Sequence, residues 1–195
     1  MVLIGPNGGG KSTLLKLMTG LMKPDEGSIT VRPGLEVGYV PQNFTFDISF
    51  PLTVEELVLQ GTLPKTLQPF HRYNGAQKEK TREAIAQAGL SGYEKRGINQ
   101  LSGGQLKRAV IARVFASDAN LIALDEPDAS LDMDAAKELY TILHGMKREK
   151  TIVIASHNIG SCLEIADQAL YINQTVQEYD APAELEAKLK GGITL

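Results

Sequence analysis

The chain has a single cysteine, Cys162, so no disulfide can form within it and a bridge-stapled scaffold is excluded. It has no tryptophan and only 6% aromatic residues, which leaves no stacking platform for single-stranded nucleic acid. Positive charge is not in excess. Lys and Arg number 20 against 23 Asp and Glu, net −3, which argues against a general nucleic-acid surface but leaves room for a local phosphate site. Long apolar runs are missing as well. The longest, such as residues 121–124 and 152–155, fall far short of the roughly 20 residues that a membrane-spanning helix needs. The apolar opening at residues 1–4 runs straight into glycine, so no secretory leader is expected and a reducing, cytosolic setting fits. What is present, 195 residues with 43% hydrophobic and 22% charged, suits one globular domain carrying a grafted subdomain.

Three short runs are apolar throughout: Val2–Ile4, residues 121–124 and residues 152–155. Continuous rather than alternating apolarity indicates strands buried on both faces, the mark of a parallel sheet. Helical patterns alternate with them. Leu14, Leu15, Leu17, Met18, Leu21 and Met22 predict a helix closed by Pro24; Leu106, Ala109, Val110 and Val114 predict another, and residues 135–146 and 161–166 two more. Strand–helix alternation indicates an α/β layered fold. The middle reads differently. Thr53 followed by Glu56 is a capping box opening a helix with Leu57 and Val58, residues 77–90 form a charged helix, and residues 62–75 between them read as loop. Residues from about 43 to 100 thus look like a mostly helical insert. Asn173-Gln174 can turn a hairpin near the end, before a closing helix at Pro182–Lys190.

Gly5-Pro6-Asn7-Gly8-Gly9-Gly10-Lys11-Ser12 matches the phosphate-loop pattern G-x-x-x-x-G-K-[ST] at every fixed position. Glycines let the backbone curl into a nest of N–H groups aimed at phosphate oxygens. The helix beginning near Lys11 turns its positive end to the same anion. Lys11 supplies a compact charge for the β- and γ-phosphates, and the Ser12 hydroxyl is a ligand for Mg²⁺.

Leu101-Ser102-Gly103-Gly104-Gln105 precedes the second helical stripe, so Ser102, Gly103 and Gly104 sit at another helix N-terminus. A plain Ser/Gly cap accounts for these residues. The other reading makes them a second anion site, and one nucleotide needs only one loop. Two subunits facing each other resolve this, each offering Ser102–Gly104 to the nucleotide held by the other's loop.

At this point the chain resembles the nucleotide-binding domain of ABC transporters, the ATP-binding cassette family. Residues 5–12 match its Walker A loop, residues 101–105 its LSGGQ signature and residues 121–126 its Walker B strand. Ser130-Leu131-Asp132 match the D-loop, Gln42 the Q-loop and His157 the switch histidine, all in the family's order. The resemblance covers essentially the whole chain. It implies a P-loop NTPase fold, with a mostly parallel sheet flanked by helices. A RecA-like core would comprise residues 1–42 and 118–195, and a helical subdomain would span about 43–117. It implies ATP bound by Gly5, Pro6, Asn7, Gly8, Gly9, Gly10, Lys11, Ser12 and Thr13, and Mg²⁺ held by Ser12, Gln42 and Asp125.

The residues themselves agree. Asp125 follows an apolar strand, so its carboxylate emerges at the strand's carboxyl end beside the loop. Glu126, next in line, is placed to orient or deprotonate the attacking water. His157 ends another buried strand and should enter the same crevice; in the family it contacts the γ-phosphate. His71 and His144 read as ordinary capped or core histidines. The resemblance makes Gln42 a link between the phosphate site and the insert. Phe44, Phe46, Phe50 and Pro51 beyond it either fill the insert's core or line a groove for a membrane subunit.

Gly8-Gly9-Gly10 and residues 50–61 resemble importers of zinc, manganese or iron chelates. The implied partners are a second copy, transmembrane permease subunits and, indirectly, a solute-binding protein, with no nucleic acid. The implied place is the cytoplasmic face of the cell membrane. A soluble cassette acting on DNA or ribosomes, or an inactive cassette, is the alternative. The first of these needs a coiled coil, a second cassette or a basic arm, none of which is in the sequence. Two departures stand out. Asp128 occupies a position where the family usually has a small or neutral residue, adding charge near Mg²⁺ and the dimer seam. The family also has a strand pair before the Walker A strand, with an aromatic that stacks on adenine. That implies an incomplete antiparallel N-terminal lobe here, weaker ATP binding than in an extended form, and strands around residues 29–31 and Val37–Val40 without partners.

Overall fold

The computed structural model describes residues 1–44, 51–64, 66, 71–129 and 131–190. The apolar runs form strands β1 (Val2–Ile4), β2 (Val37–Val40), β3 (Leu121–Asp125), β4 (Thr151–Ala155), β5 (Ala169–Asn173) and β6 (Thr175–Tyr179). The helices are α1 (Lys11–Met18), α2 (Val54–Leu59), α3 (Gly75–Gln87), α4 (Gly103–Phe115), α5 (Met133–Met146), α6 (Ile159–Ile165) and α7 (Pro182–Lys190). No helix among the described residues is long and apolar enough to cross a membrane.

The sheet order is β2-β3-β4-β1-β5-β6, parallel throughout except for the final β5–β6 hairpin. Strand periodicity sorts the side chains onto two faces. Leu3, Ala123, Val153 and Ala155 pack with Leu15 of α1 on one face. Val2, Ile4, Ile122, Leu124, Ile152 and Ile154 face the other core, which runs on without a break into Val54, Leu57, Val58 and Ile85 of the helical insert. Each such fully buried aliphatic side chain contributes about 1.5–3 kcal/mol over its exposed state. Register then sets the edge. Leu3 and Asp125 both stand opposite Ala155, so β1, β3 and β4 end level and their following turns share one side of the sheet.

Local chemistry accounts for the helix ends. α2 opens on the expected capping box: the Glu56 N–H donates to the Thr53 hydroxyl and the Thr53 N–H to the Glu56 carboxylate. Asn74 and Gln77 make the same reciprocal pair for α3. α1 stops short of the expected Pro24. Gly20, at φ 73°, turns the chain left-handed, with Gly20 N–H bonded to the Leu17 carbonyl and Leu21 N–H to that of Lys16. This closing motif leaves Leu21 and Met22 exposed. The expected unpartnered strands are also corrected. Residues 29–31 form no strand, and Ile29 and Val31 lie exposed. Val37–Val40 does have a partner, pairing parallel with β3 from Val37↔Leu121 to Val40↔Leu124. The hairpin turn falls at Gln174, φ 60°. Phe46 and Phe50 lie outside the described residues.

The phosphate loop is pressed against β5. A Cβ on Gly5 would lie 2.0 Å from the Ile172 carbonyl oxygen, a backbone atom inside the sheet. Gly8, at φ 78°, has open space around it. Gly5→Ala is expected to lose about 3 kcal/mol, the upper end of the range for overpacking, because the clash is with backbone. Gly8→Ala is expected to lose about 1–2 kcal/mol, from backbone conformation alone. Denaturant melts of both variants check the ranking; equal losses would mean that the Ile172 contact carries no weight.

Candidate functional site

Turns after β1, β3 and β4 converge at the carboxyl edge of the sheet, where open α/β folds bind ligands. The loop of residues 5–10 closes on itself through the Gly9 N–H to the Pro6 carbonyl and is tied to the hairpin by the Gln174 N–H to the Gly9 carbonyl, 2.9 Å. Gly10 caps α1 in the left-handed region. Lys11 is 6% exposed, and its ammonium spans the loop, donating to the carbonyls of Gly5 at 2.8 Å and Pro6 at 3.0 Å. Pro6, Asn7, Gly8 and Thr13 are exposed around it. A closed glycine-rich loop, a fixed cation and a helix start are the elements that suit a polyphosphate.

The Ser12 hydroxyl donates to Asp125 Oδ1 at 2.9 Å. The Tyr39 hydroxyl donates to Asp125 Oδ2 at 3.3 Å, reaching it diagonally from the neighbouring strand. Burial, with the Asp125 charge second, pushes the Tyr39 phenol up to about 12 and keeps it a donor. Glu126 follows at φ 47°, a conformation side chains rarely adopt, held by its N–H to the Ala155 carbonyl at 2.8 Å. Its Oε1 lies 2.9 Å from His157 Nε2; the carboxylate side chain is 6% exposed and the imidazole 48%. Burial raises the Glu126 carboxyl above the usual carboxylate range, while His157 and Lys11 oppose that shift. A buried, raised carboxylate beside a half-exposed imidazole is suited to accepting a proton.

The signature segment lies apart. Among the described residues no hydrogen bond or ion pair joins residues 5–13 to residues 101–105. The Ser102 hydroxyl caps α4 by accepting from Gln105 N–H, and the Gln105 side chain returns to Ser102 N–H and reaches the Tyr93 hydroxyl. Leu101 packs partly buried against the core. Ser102, Gly103, Gly104 and Gln105 line a cleft of about 460 Å³ together with Leu131 and Asp132, so the signature and D-loop residues share one surface. Asp132 caps α5 through Ala135 N–H. Ser130 lies outside the described residues.

Lys107 carries no signal in the sequence. It is 2% exposed and donates to the carbonyls of Pro41 at 2.9 Å and Gln42 at 3.1 Å, with its ammonium 5.4 Å from the Phe44 ring. It therefore fastens α4 to the segment after β2, leaving the Gln42 side chain exposed. Ser102, the cap of α4, is five residues earlier, so it stands about 7.5 Å along the helix axis from this joint. Burial lowers the Lys107 pKa, with Asp125, Asp128 and Glu126 pulling the other way. Tyr39 was equally silent in sequence, because its partner is set by strand register. His71 stacks edge-on with Tyr73, and His144 lies in the last turn of α5, as ordinary structural residues do.

Comparison with known proteins agrees with this geometry. The ABC transporter family model matches residues 1–129. A probable metal transport system ATP-binding protein of Chlamydia trachomatis is 37% identical over 180 residues, spanning 89% of this chain and 75% of its own length. An inward-facing metal-chelate type ABC transporter superposes with a TM-score of 0.81 at 30% identity, over 93% of this chain and 72% of the other. A dimeric ATP-binding cassette in a post-hydrolysis state with ADP and Pi superposes at 0.75 and 28% identity, over 91% and 83%. Cradle, acid pair, separate signature surface and sequence all point the same way, and the chain belongs to the ATP-binding cassette family of ABC transporters.

Proposed function

We propose that this chain is the ATP-hydrolysing subunit of a membrane importer of metal ions or metal chelates, working at the cytoplasmic face beside permease subunits. The observation that carries the reading is the meeting, at one sheet edge, of the residue 5–12 cradle, Asp125 and the Glu126–His157 pair. The likeness to a metal transport ATP-binding protein and a metal-chelate transporter supports the cargo class. The cargo itself would never touch this subunit.

Lys11 and the α1 N-terminus hold the β- and γ-phosphates. Ser12 and Asp125 present a hydroxyl and a carboxylate oxygen side by side, the hard donor set that suits Mg²⁺, with Gln42 as a third oxygen ligand. When bound, that ion would neutralise phosphate charge. Glu126 takes a proton from the attacking water as its oxygen joins the γ-phosphorus and the bond to ADP breaks. His157 holds the Glu126 carboxylate at 2.9 Å, and the family resemblance gives its imidazole the contact to the γ-phosphate. Leu101, Ser102, Gly103, Gly104 and Gln105 of a second copy, with its D-loop, close the site from the opposite side. Residues 43–117 act as the subdomain that passes this closure to the permease.

Glu126→Gln is expected to lower ATP turnover by about 10²–10⁴-fold, the range for losing a positioned general base. Nucleotide affinity should stay within a few-fold. Phosphate-release assays and nucleotide titration check this, and unchanged turnover removes Glu126 from the role.

The shared site has its own test. Lys11→Ala disables the cradle and Ser102→Arg the opposing surface, and each alone should be nearly inactive. An equal mixture should recover about a quarter of wild-type activity, since about half the dimers are mixed and each has one intact site of two. A mixture as inactive as its components would exclude a site made by two copies.

A further inference from the structure

We propose that Asp128 is a positioning residue of the hydrolytic site: its carboxylate ends a buried hydrogen-bond chain, from Cys162 through Tyr140 to Ser156, that locks the turn carrying His157 to the turn carrying Glu126. This rests on the ATPase reading above for its functional consequence, but not for the lock itself.

The chain is continuous and its direction is forced. The Ser156 hydroxyl donates to Asp128, 3.0 Å to Oδ1 and 3.2 Å to Oδ2. An ionised carboxylate accepts only, so the single Ser156 proton is committed there. The lone pairs of Ser156 are then free for two donors, the Tyr140 hydroxyl at 3.2 Å and the Asn158 N–H at 3.0 Å. Tyr140, having given its proton to Ser156, accepts from the Cys162 thiol at 3.2 Å. Burial pushes that thiol up to about 11, so it stays a protonated donor. Ser156, Tyr140 and Cys162 are 1%, 3% and 0% exposed, and no buried side-chain polar atom among the described residues lacks a partner.

The members come from separate elements. Cys162 lies on α6 and Tyr140 on α5, Ser156 follows β4, and Asp128 lies in the turn after β3. Ser156 immediately precedes His157, and Asp128 is two residues beyond Glu126. The chain therefore spans the two turns whose side chains meet at 2.9 Å in the Glu126–His157 contact. The carboxylate that the sequence set beside the dimer seam is turned inward, onto Ser156. A neutral apolar residue there would leave the proton of the buried Ser156 without its acceptor, and Ser156 would turn away and release the Asn158 N–H. A shift of that turn moves His157 from Glu126, and small misplacements of catalytic groups cost up to about a hundredfold in rate.

The test compares Asp128→Ala, which removes the acceptor, with Asp128→Asn, which keeps one oxygen facing Ser156, and with Ser156→Ala. Asp128→Ala should lower kcat about ten- to a hundredfold with KM for ATP within about twofold, because the Lys11 cradle is untouched. Asp128→Asn should restore most of kcat, and the Asp128→Ala, Ser156→Ala double variant should be no slower than the worse single one. Amide exchange at Asn158 should quicken about tenfold in Asp128→Ala and stay slow in Asp128→Asn. Unchanged kcat with unchanged exchange in Asp128→Ala overturns the proposal, as does an Asn variant as impaired as the Ala variant. Faster exchange in a chain whose turnover is also indifferent to Glu126→Gln leaves the lock standing and fails the ATPase reading instead.

Discussion

The hydrogen bond from Ser12 to Asp125 joins residues 113 positions apart and exists only because of strand order. β1 and β3 are not neighbours; β4 runs between them, and both end opposite Ala155. A one-residue slip of β3 on β4 would turn Asp125 to the opposite face of the sheet, and a slip of β1 on β4 would shift the loop from it. The apolar alternation that sends Leu3, Ala123 and Val153 to the α1 face and Ile122, Leu124 and Ile154 to the other is therefore a catalytic constraint as much as a packing one. The core holds the register, and the register holds the site.

The same edge stores strain. Glu126 at φ 47° costs about 1–2 kcal/mol relative to an ordinary backbone. Its N–H extends the β3–β4 ladder by one more bond, to Ala155, and its side chain is gripped by His157, so the conformation is overdetermined. The turn brings consecutive acids to different tasks. Asp125 stays in strand geometry beside Ser12, while Glu126 is swung toward His157. Two carboxylates adjacent in sequence, both buried, thereby have different partners: Ser12 and Tyr39 for Asp125, His157 for Glu126.

What was legible in the sequence was local chemistry. The phosphate loop, the capping box at Thr53, the cap at Ser102, the continuous apolar strands and the hairpin turn each depend on residues within a few positions of one another. The end of α1 was misplaced because Pro24 is the louder signal, although Gly20 had already ended the helix. Residues 29–31 form no strand, because β-branched residues favour pairing but do not supply a partner. Val37–Val40 is partnered despite the implied incomplete N-terminal lobe, because it pairs with β3 of the core sheet, more than 80 residues away, and not with a strand of that lobe. Tyr39 at Asp125, Lys107 at the Pro41 and Gln42 carbonyls and Ser156 at Asp128 were silent because each meets its partner only through tertiary structure.

Lys107 and Asp128 look like opposite choices, a buried cation and a carboxylate near the same acids, but they solve one problem. A site that must collect groups from several turns needs those turns fixed to their neighbours without filling the cleft. Lys107 ties α4 to the backbone after β2, and Asp128 ties the β3 turn to the β4 turn. Buried polar ties of this kind give little net stability, since desolvation offsets most of their attraction. They are directional, however, and a dispersion-packed apolar contact at either point would permit sliding that hydrogen-bond angles forbid. At the carboxyl edge, where the regular ladder has run out and the backbone must leave the sheet, geometry rather than stability is in short supply.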